Sequence, residues 1–304
     1  MPDASSPTLA LLAPGAMGAA LAARLSAFGA GTILTNLDGR SETTIQRAHE
    51  ANMRHASYAE IVERAGYIYS VIPPADAFGI AEAVLRAYRE ANSTRPLVFV
   101  DCNAINPESA KRMAGLFADT PITFLDGAII GTPPTDSFNP AMFVTADPQD
   151  AAALEDFVRM STQFGLNVVP LMSEGAAVGD ASAVKMAHAG IVKGMIGLFT
   201  TMILAANESS PSTAEGLLQA LNFSQPVLVD LIIEHLPVML PKAYRFVGEL
   251  QEIGGFVGAG SPVADTFQGL SQTFARVAQS AGAPSSGDAA VLLKFVEQAR
   301  NLRN

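Results

Sequence analysis

The chain has 304 residues, 49% of them apolar and 16% charged, with a net charge of −10. That length is more than one hydrophobic core usually serves and the composition is that of a packed protein, so two domains are expected and a disordered chain is excluded. With no run of Lys or Arg, the acidic balance argues against nucleic acid and membrane as partners; Cys102 alone builds no disulfide framework, and four scattered histidines give no metal-ligand spacing.

Residues 1–7 lack the basic and apolar regions of a signal peptide and read as a short disordered tail. The longest uncharged apolar run, Gly194–Asn207, is too short to span a bilayer, and a cytoplasmic location is expected. Thr8–Leu12 forms a strand that runs into Ala13, Pro14, Gly15, Ala16, Met17 and Gly18, then into a helix over 19–28 and a second strand over 32–35. Such a βαβ opening, about 30 residues long, binds a pyrophosphate through glycines and the free N–H groups of the helix start. A purely structural glycine turn is the alternative. Ala13 stands where the first glycine of G-x-G-x-x-G belongs, which is tolerable if the turn keeps φ negative there.

Cofactor choice falls just past the second strand, at Asn36, Asp38, Arg40 and Ser41. Asn36 replaces the acid that would hold a ribose 2′-hydroxyl, Arg40 and Ser41 offer donors to a 2′-phosphate, and Ser41 can also cap the helix beginning near Glu42. NADP is favoured over NAD, with Asp38 as the contrary residue. Helices over 57–65 and 75–90 alternate with strands over 67–72 and 97–101, which predicts a parallel, doubly wound sheet. Ile72, Pro73 and Asn103 then lie at strand ends where a cofactor passes, the amide of Asn103 serving a ribose or a carboxamide. A strand over 122–125 leads into a loop of residues 126–134; residues 141–145, a helix over 148–164 and a strand over 166–169 complete the domain.

From about Ala176 to Asn207 the chain predicts one long helix, rich in Ala, Met, Ile and Leu, with Asp180, Lys185 and Lys193 as its fixed charges. Lys185 is either a proton shuttle tuned by its apolar setting or a lysine whose stem lies on the core while its head reaches water. Helices over 212–222, 225–236, 242–253, 262–281 and 286–300 follow, so the second domain is all-helical. The apolar density from Leu217 to Leu240 predicts a homodimer through that domain. The divisions are a dinucleotide-binding Rossmann domain over 1–172, an interdomain helix carrying Lys185 over 173–207, and a substrate and dimerisation domain over 208–304.

The glycine turn 13–18, the segment Asp101–Pro107, the stretch Asp126–Thr132 and the helix around Lys185–Ile191 together resemble the β-hydroxyacid dehydrogenase superfamily, which includes 6-phosphogluconate dehydrogenase, 3-hydroxyisobutyrate dehydrogenase and the imine reductases. The resemblance covers nearly the whole chain and is nearest to a subgroup with a phosphogluconate-dehydrogenase-like C-terminal domain. It implies NADPH-dependent hydride transfer to or from a small hydroxy or carbonyl substrate, with Lys185 passing the hydroxyl proton. It also implies a substrate site at Asp126, Ile129, Ile130, Gly131 and Ala189, with His188 one turn after the lysine. His188 then either contacts substrate, tunes the lysine or is a satisfied histidine of the domain interface. The chain departs from the family at Ile130, where a carboxylate-binding serine belongs, at Ala189, where an asparagine belongs, and at Val192, in place of a second acid. With Ile129, Ile130, Val178 and Met186 expected around Lys185, the pocket is apolar, and 6-phosphogluconate is not the expected substrate. An imine reductase and a non-catalytic NADPH-binding protein are the alternatives.

Overall fold

A computed structural model of the chain describes residues 8–258, 261–280 and 287–303. The expected tail over 1–7 and the helix limits at Ala281 and Ser286 lie outside the described residues. Two compact units divide at Lys185 and Met186, inside the long helix.

The first unit is built on one eight-stranded sheet. Its strands are β1 (Leu9–Leu12), β2 (Ile33–Thr35), β3 (Met53–His55), β4 (Tyr67–Ser70), β5 (Leu97–Asp101), β6 (Ile122–Ile130), β7 (Ala141–Thr145) and β8 (Asn167–Pro170), in the order β3-β2-β1-β4-β5-β6-β7-β8. Helices α1 (Ala16–Ala27), α2 (Glu42–Glu50), α3 (Tyr58–Arg64), α4 (Pro74–Glu90), α5 (Pro107–Phe117) and α6 (Ala151–Gln163) connect them. Alternate residues of β1 serve opposite faces: Leu9 and Leu11 pack in one core cluster, Ala10 and Leu12 in the other. That division is the mark of a doubly wound sheet covered on both sides.

The sheet departs from the expected parallel arrangement at one pair, since β6 and β7 run antiparallel. The chain from Gly131 to Pro140 holds no helix to carry a crossover, so it returns as a hairpin. Strand β6 is also longer than the 122–125 expected, because Asp126–Ile130 pair with β7 instead of forming a loop. The three-residue β3 is an addition to the expected elements; Arg54 and His55 on it are exposed and give no alternating pattern.

Helix α7 (Asp180–Ser209) starts four residues later than expected, after Gly179 at φ +108. By length and composition it is apolar enough to cross a membrane, which the run Gly194–Asn207 alone does not suggest. Beyond Lys185 it belongs to the second unit, with α8 (Pro211–Ser224), α9 (Pro226–Met239), α10 (Ala243–Gly258), α11 (Pro262–Ser280) and α12 (Gly287–Arg303). Glycines let α7 approach its neighbours there: a Cβ on Gly197 would meet Leu270 at 3.0 Å. Lys193 pairs with Glu249 at 3.2 Å and stacks over the Phe246 ring, which accounts for one of the charges on this helix.

Candidate active site

At the carboxyl end of β1 the chain turns sharply into α1. Gly15 is the N-cap, with φ −65 and ψ −178, and no side chain caps the helix or places an acid in its first turn. A Cβ on Gly15 would meet open space, whereas one on Gly18 would lie 2.6 Å from the Ala13 carbonyl oxygen, so Gly18 is needed for close packing of helix on strand. Ala16 is exposed and Met17 rests against the core, and no side chain caps the amides at the helix start. Open space, uncapped N–H groups and the positive end of the helix dipole together suit a pyrophosphate, so the residues present fit a dinucleotide. The expectation that Ala13 keeps φ negative is overturned: φ is +62.

At the end of β2, Asn36 is buried and its amide donates to the Asp38 carboxylate at 2.9 Å, while the Asp38 N–H donates back to Asn36 Oδ1 at 3.2 Å. The possible ribose acid is thus tied to its neighbour and to His55, 3.8 Å away on β3. Ser41 caps α2 as expected, accepting from the Thr44 N–H. Arg40 and Asp38 both lie close enough to influence Tyr58, whose hydroxyl pKa is raised first by burial. Arg47 of α2 donates to the Pro14 carbonyl at 3.2 Å, a bond between helix and glycine turn that residue spacing did not reveal.

The ends of β4 and β5 are joined by Asn103. Its Oδ1 accepts from the Ile72 N–H at 2.6 Å, and its Nδ2 donates to Ser70 Oγ at 3.0 Å and to Asp101 Oδ1 at 2.5 Å. The side chain is 3% exposed. An amide expected to meet the cofactor is therefore used inside the protein, where it fixes Ile72 beside the exposed Pro73.

Asp126 also moves from its expected role. It is fully buried in β6 and accepts from the Gly179 N–H at 2.9 Å, the Ser182 N–H at 3.0 Å and the Ser182 hydroxyl at 2.7 Å. No exposed surface remains for a substrate; the carboxylate closes the start of α7. Asp101 is its register partner on β5 and is equally buried. Burial, and then the charge of Asp126, push the Asp101 carboxyl up to about 8. Burial raises Asp126 as well, with its hydrogen-bond donors on α7 and Gly179 opposing it. Asp126 has more hydrogen-bond donors than Asp101, and two like charges on adjacent strands disfavour double ionisation, so it is Asp101 whose protonated form the fold favours more.

One turn further along α7, the half-buried Lys185 donates from Nζ to the Ile129 carbonyl of β6. The structure thus brings Lys185 to Ile129, and Ser182, one turn earlier on the same helix, to Asp126. It separates two members of the expected apolar pocket, because the Ile129 side chain packs in one core cluster and Val178 in the other, on opposite sheet faces. Ile129 serves through its backbone, its side chain being 4% exposed. Ile130 is half-buried at the end of β6, and Gly131, at φ +130, lies under the Phe138 ring. His188 and Ala189 follow on α7 in the second unit, His188 exposed and Ala189 buried.

The family described as the NAD binding domain of 6-phosphogluconate dehydrogenase matches residues 8–169, and a domain family of unknown function matches residues 209–277. No curated protein matches the sequence. A conserved hypothetical protein from Sinorhizobium meliloti is similar in structure, with a TM-score of 0.71 and 19% identity over 98% of this chain and 97% of that one. A 3-hydroxyisobutyrate dehydrogenase from Mycobacterium tuberculosis gives 0.64 and 16% over 95% of this chain and 99% of that one. An imine reductase from Myxococcus stipitatus, in complex with NADP+, gives 0.54 and 18% over 95% and 100%; a variant of it is in complex with NAD+. At these identities the likeness is one of fold.

Proposed function

Because the chain belongs to the family of the 6-phosphogluconate dehydrogenase NAD-binding domain, within the β-hydroxyacid dehydrogenase superfamily, and is an NAD(P)-dependent oxidoreductase, we propose that it uses NADPH to reduce, or NADP+ to oxidise, a small carbonyl or hydroxy substrate. The nicotinamide would supply a hydride at C4. Gly15, Ala16, Met17 and Gly18 would receive the pyrophosphate, and Arg40 with Ser41 the 2′-phosphate. Support for NADP is that Asn36 takes one oxygen of the Asp38 carboxylate, which leaves that acid fewer acceptor sites for a ribose 2′-hydroxyl.

Lys185 is the proton donor and acceptor in this reading. The observation that carries it is the bond from Nζ to the Ile129 carbonyl. A carbonyl accepts from an amine and an ammonium alike, so the anchor survives the exchange of a proton and the nitrogen stays in place throughout. His188, one turn on, would contact or orient substrate. Ile130 offers no side-chain donor to a carboxylate, which favours an uncharged substrate. The same feature supports a second reading, reduction of a cyclic imine; the Myxococcus stipitatus protein is named an imine reductase.

Exposed large apolar side chains of the second unit, Ile191, Phe223, Val227 and Tyr244 among them, support a homodimer through the helical domain. A cytoplasmic location is part of the same reading and accords with Cys102 being a free, buried thiol. The test is oxidation of NADPH and of NADH with panels of semialdehydes, 2-keto alcohols and cyclic imines. Carbonyl turnover that falls by about 10²–10⁴-fold in K185M, with NADPH binding retained, is the expected result. Imine turnover without carbonyl turnover would replace the first reading with the second.

A further inference from the structure

The turn that opens the first unit contains a conformation its sequence should resist. Ala13 has a Cβ, yet its φ is +62. For an L-residue other than glycine the left-handed region is unfavourable, and an alanine has no side-chain polar group to compensate it. Something outside the residue therefore fixes it.

Two features hold the Ala13 carbonyl itself. It accepts from the Gly15 N–H at 2.8 Å, and it lies where a Cβ on Gly18 would approach to 2.6 Å. Both are local to the turn; the Gly15 N–H belongs to the Pro14–Gly15 peptide, so its bond is broken when that peptide rotates and is a weak, local restraint on it. A third feature opposes the rotation from outside the turn. The Pro14 carbonyl accepts from Arg47 Nη1 at 3.2 Å, across 33 residues of chain and from a different helix. Arg47 is half-buried in the last turn of α2, so its guanidinium is supported by packing along its stem. Pro14 contributes stiffness of its own, because its ring fixes φ near −65°. With one side of the peptide fixed by proline and the carbonyl fixed by Arg47, Ala13 has no route back to negative φ without breaking the bond.

We propose that Arg47 is a positioning residue for the dinucleotide, holding the Pro14 carbonyl so that Ala13 keeps the left-handed turn which a glycine would adopt unaided. Loss of the bond lets Ala13 relax, turns the peptide ahead of Gly15 and misaligns the amides at the start of α1. A glycine at position 13 has no preference to relax, so the same loss leaves the turn competent. The proposal rests on the reading of this turn as the dinucleotide site.

The experiment is a double-mutant cycle on the full chain, with NADPH and NADH binding measured by titration calorimetry for the parent, A13G, R47M, R47K and A13G/R47M. Thermal melts establish that each variant is folded. R47M is expected to weaken NADPH binding about 10-fold with Ala13 present and less than about 3-fold in the A13G background, and R47K, which keeps a donor for Pro14, is expected to recover most of the loss. An equal loss in both backgrounds means that Arg47 acts on the nucleotide directly and overturns the proposal, as does an R47M variant that binds like the parent. A parent and an A13G variant that both fail to bind either nucleotide overturn the reading of the site itself, a result distinguishable from the other two.

Discussion

Two helix starts in the first unit, those of α1 and α7, treat the same chemical demand in opposite ways. The start of α7 is closed: Asp126, from a neighbouring strand, accepts two backbone N–H groups and the Ser182 hydroxyl. The start of α1 is left open, with glycine at the N-cap, no acid in its first turn and free space where a side chain would lie. Every helix start carries unsatisfied donors and partial positive charge. Where the protein supplies its own anion, the helix becomes an anchor; where it withholds one, the helix becomes a receptor. The anchored helix carries Lys185, and the open one faces the proposed pyrophosphate.

Removing the internal anion should produce the largest effect. D126A leaves three buried donors without an acceptor and is expected to destabilise the first unit by about 3–5 kcal/mol, measured by denaturant unfolding. A loss under about 1 kcal/mol would show that water satisfies the start of α7. Converting the open helix into a closed one comes next. G15D meets no steric obstacle and should raise the stability of the free protein by about 0.5–1 kcal/mol through capping, while weakening NADPH binding at least about 100-fold by occupying and repelling. Unchanged affinity would remove the α1 start from the cofactor site.

The pair Asp101 and Asp126 gives a pH signature. The folded-state pKa of Asp101 is pushed up to about 8 from its ordinary value of 3.8. Its protonated form is thus favoured by folding, a contribution fully present below about pH 4 and lost as pH rises through about 8. Chemical unfolding from pH 6 to 8 should show stability falling by up to about 1.4 kcal/mol per pH unit, and D101N should flatten that slope. Smallest is S182A, which removes one donor to Asp126 and should cost about 1 kcal/mol. An effect as large as that of D126A would mean that the hydroxyl, and not the two amides, fixes the helix.

The βαβ opening, the long α7 and the helical second unit were legible because each is written in local periodicity and in glycine placement. The lone-charge reasoning that picked out Lys185 applies equally to Asp101 and Asp126, which stand in apolar runs, and it would have marked them as internal partners. What spacing could not supply were the partners themselves. Asp126 bonds to Ser182 across 56 residues and Arg47 to Pro14 across 33, and such pairs are decided by how strands and helices stack. The extension of β6 was hidden for a related reason, since Asp126 and Gly127 look like loop residues until pairing with β7 satisfies them. The left-handed Ala13 contradicted a sound local rule, and the neighbours of the turn account for it.

Strand β6 also acts as a ruler. It meets α7 at the Asp126 carboxylate and again at the Ile129 carbonyl, three residues on, a span of about 10 Å along a strand. On the helix the matching positions, Ser182 and Lys185, are also three residues apart but advance only about 4.5 Å. The first contact uses a backbone N–H and a short hydroxyl, the second the terminal nitrogen of a long side chain. A shorter side chain at 185 would lose the Ile129 carbonyl whatever its acidity, so reach constrains this position as well as proton chemistry.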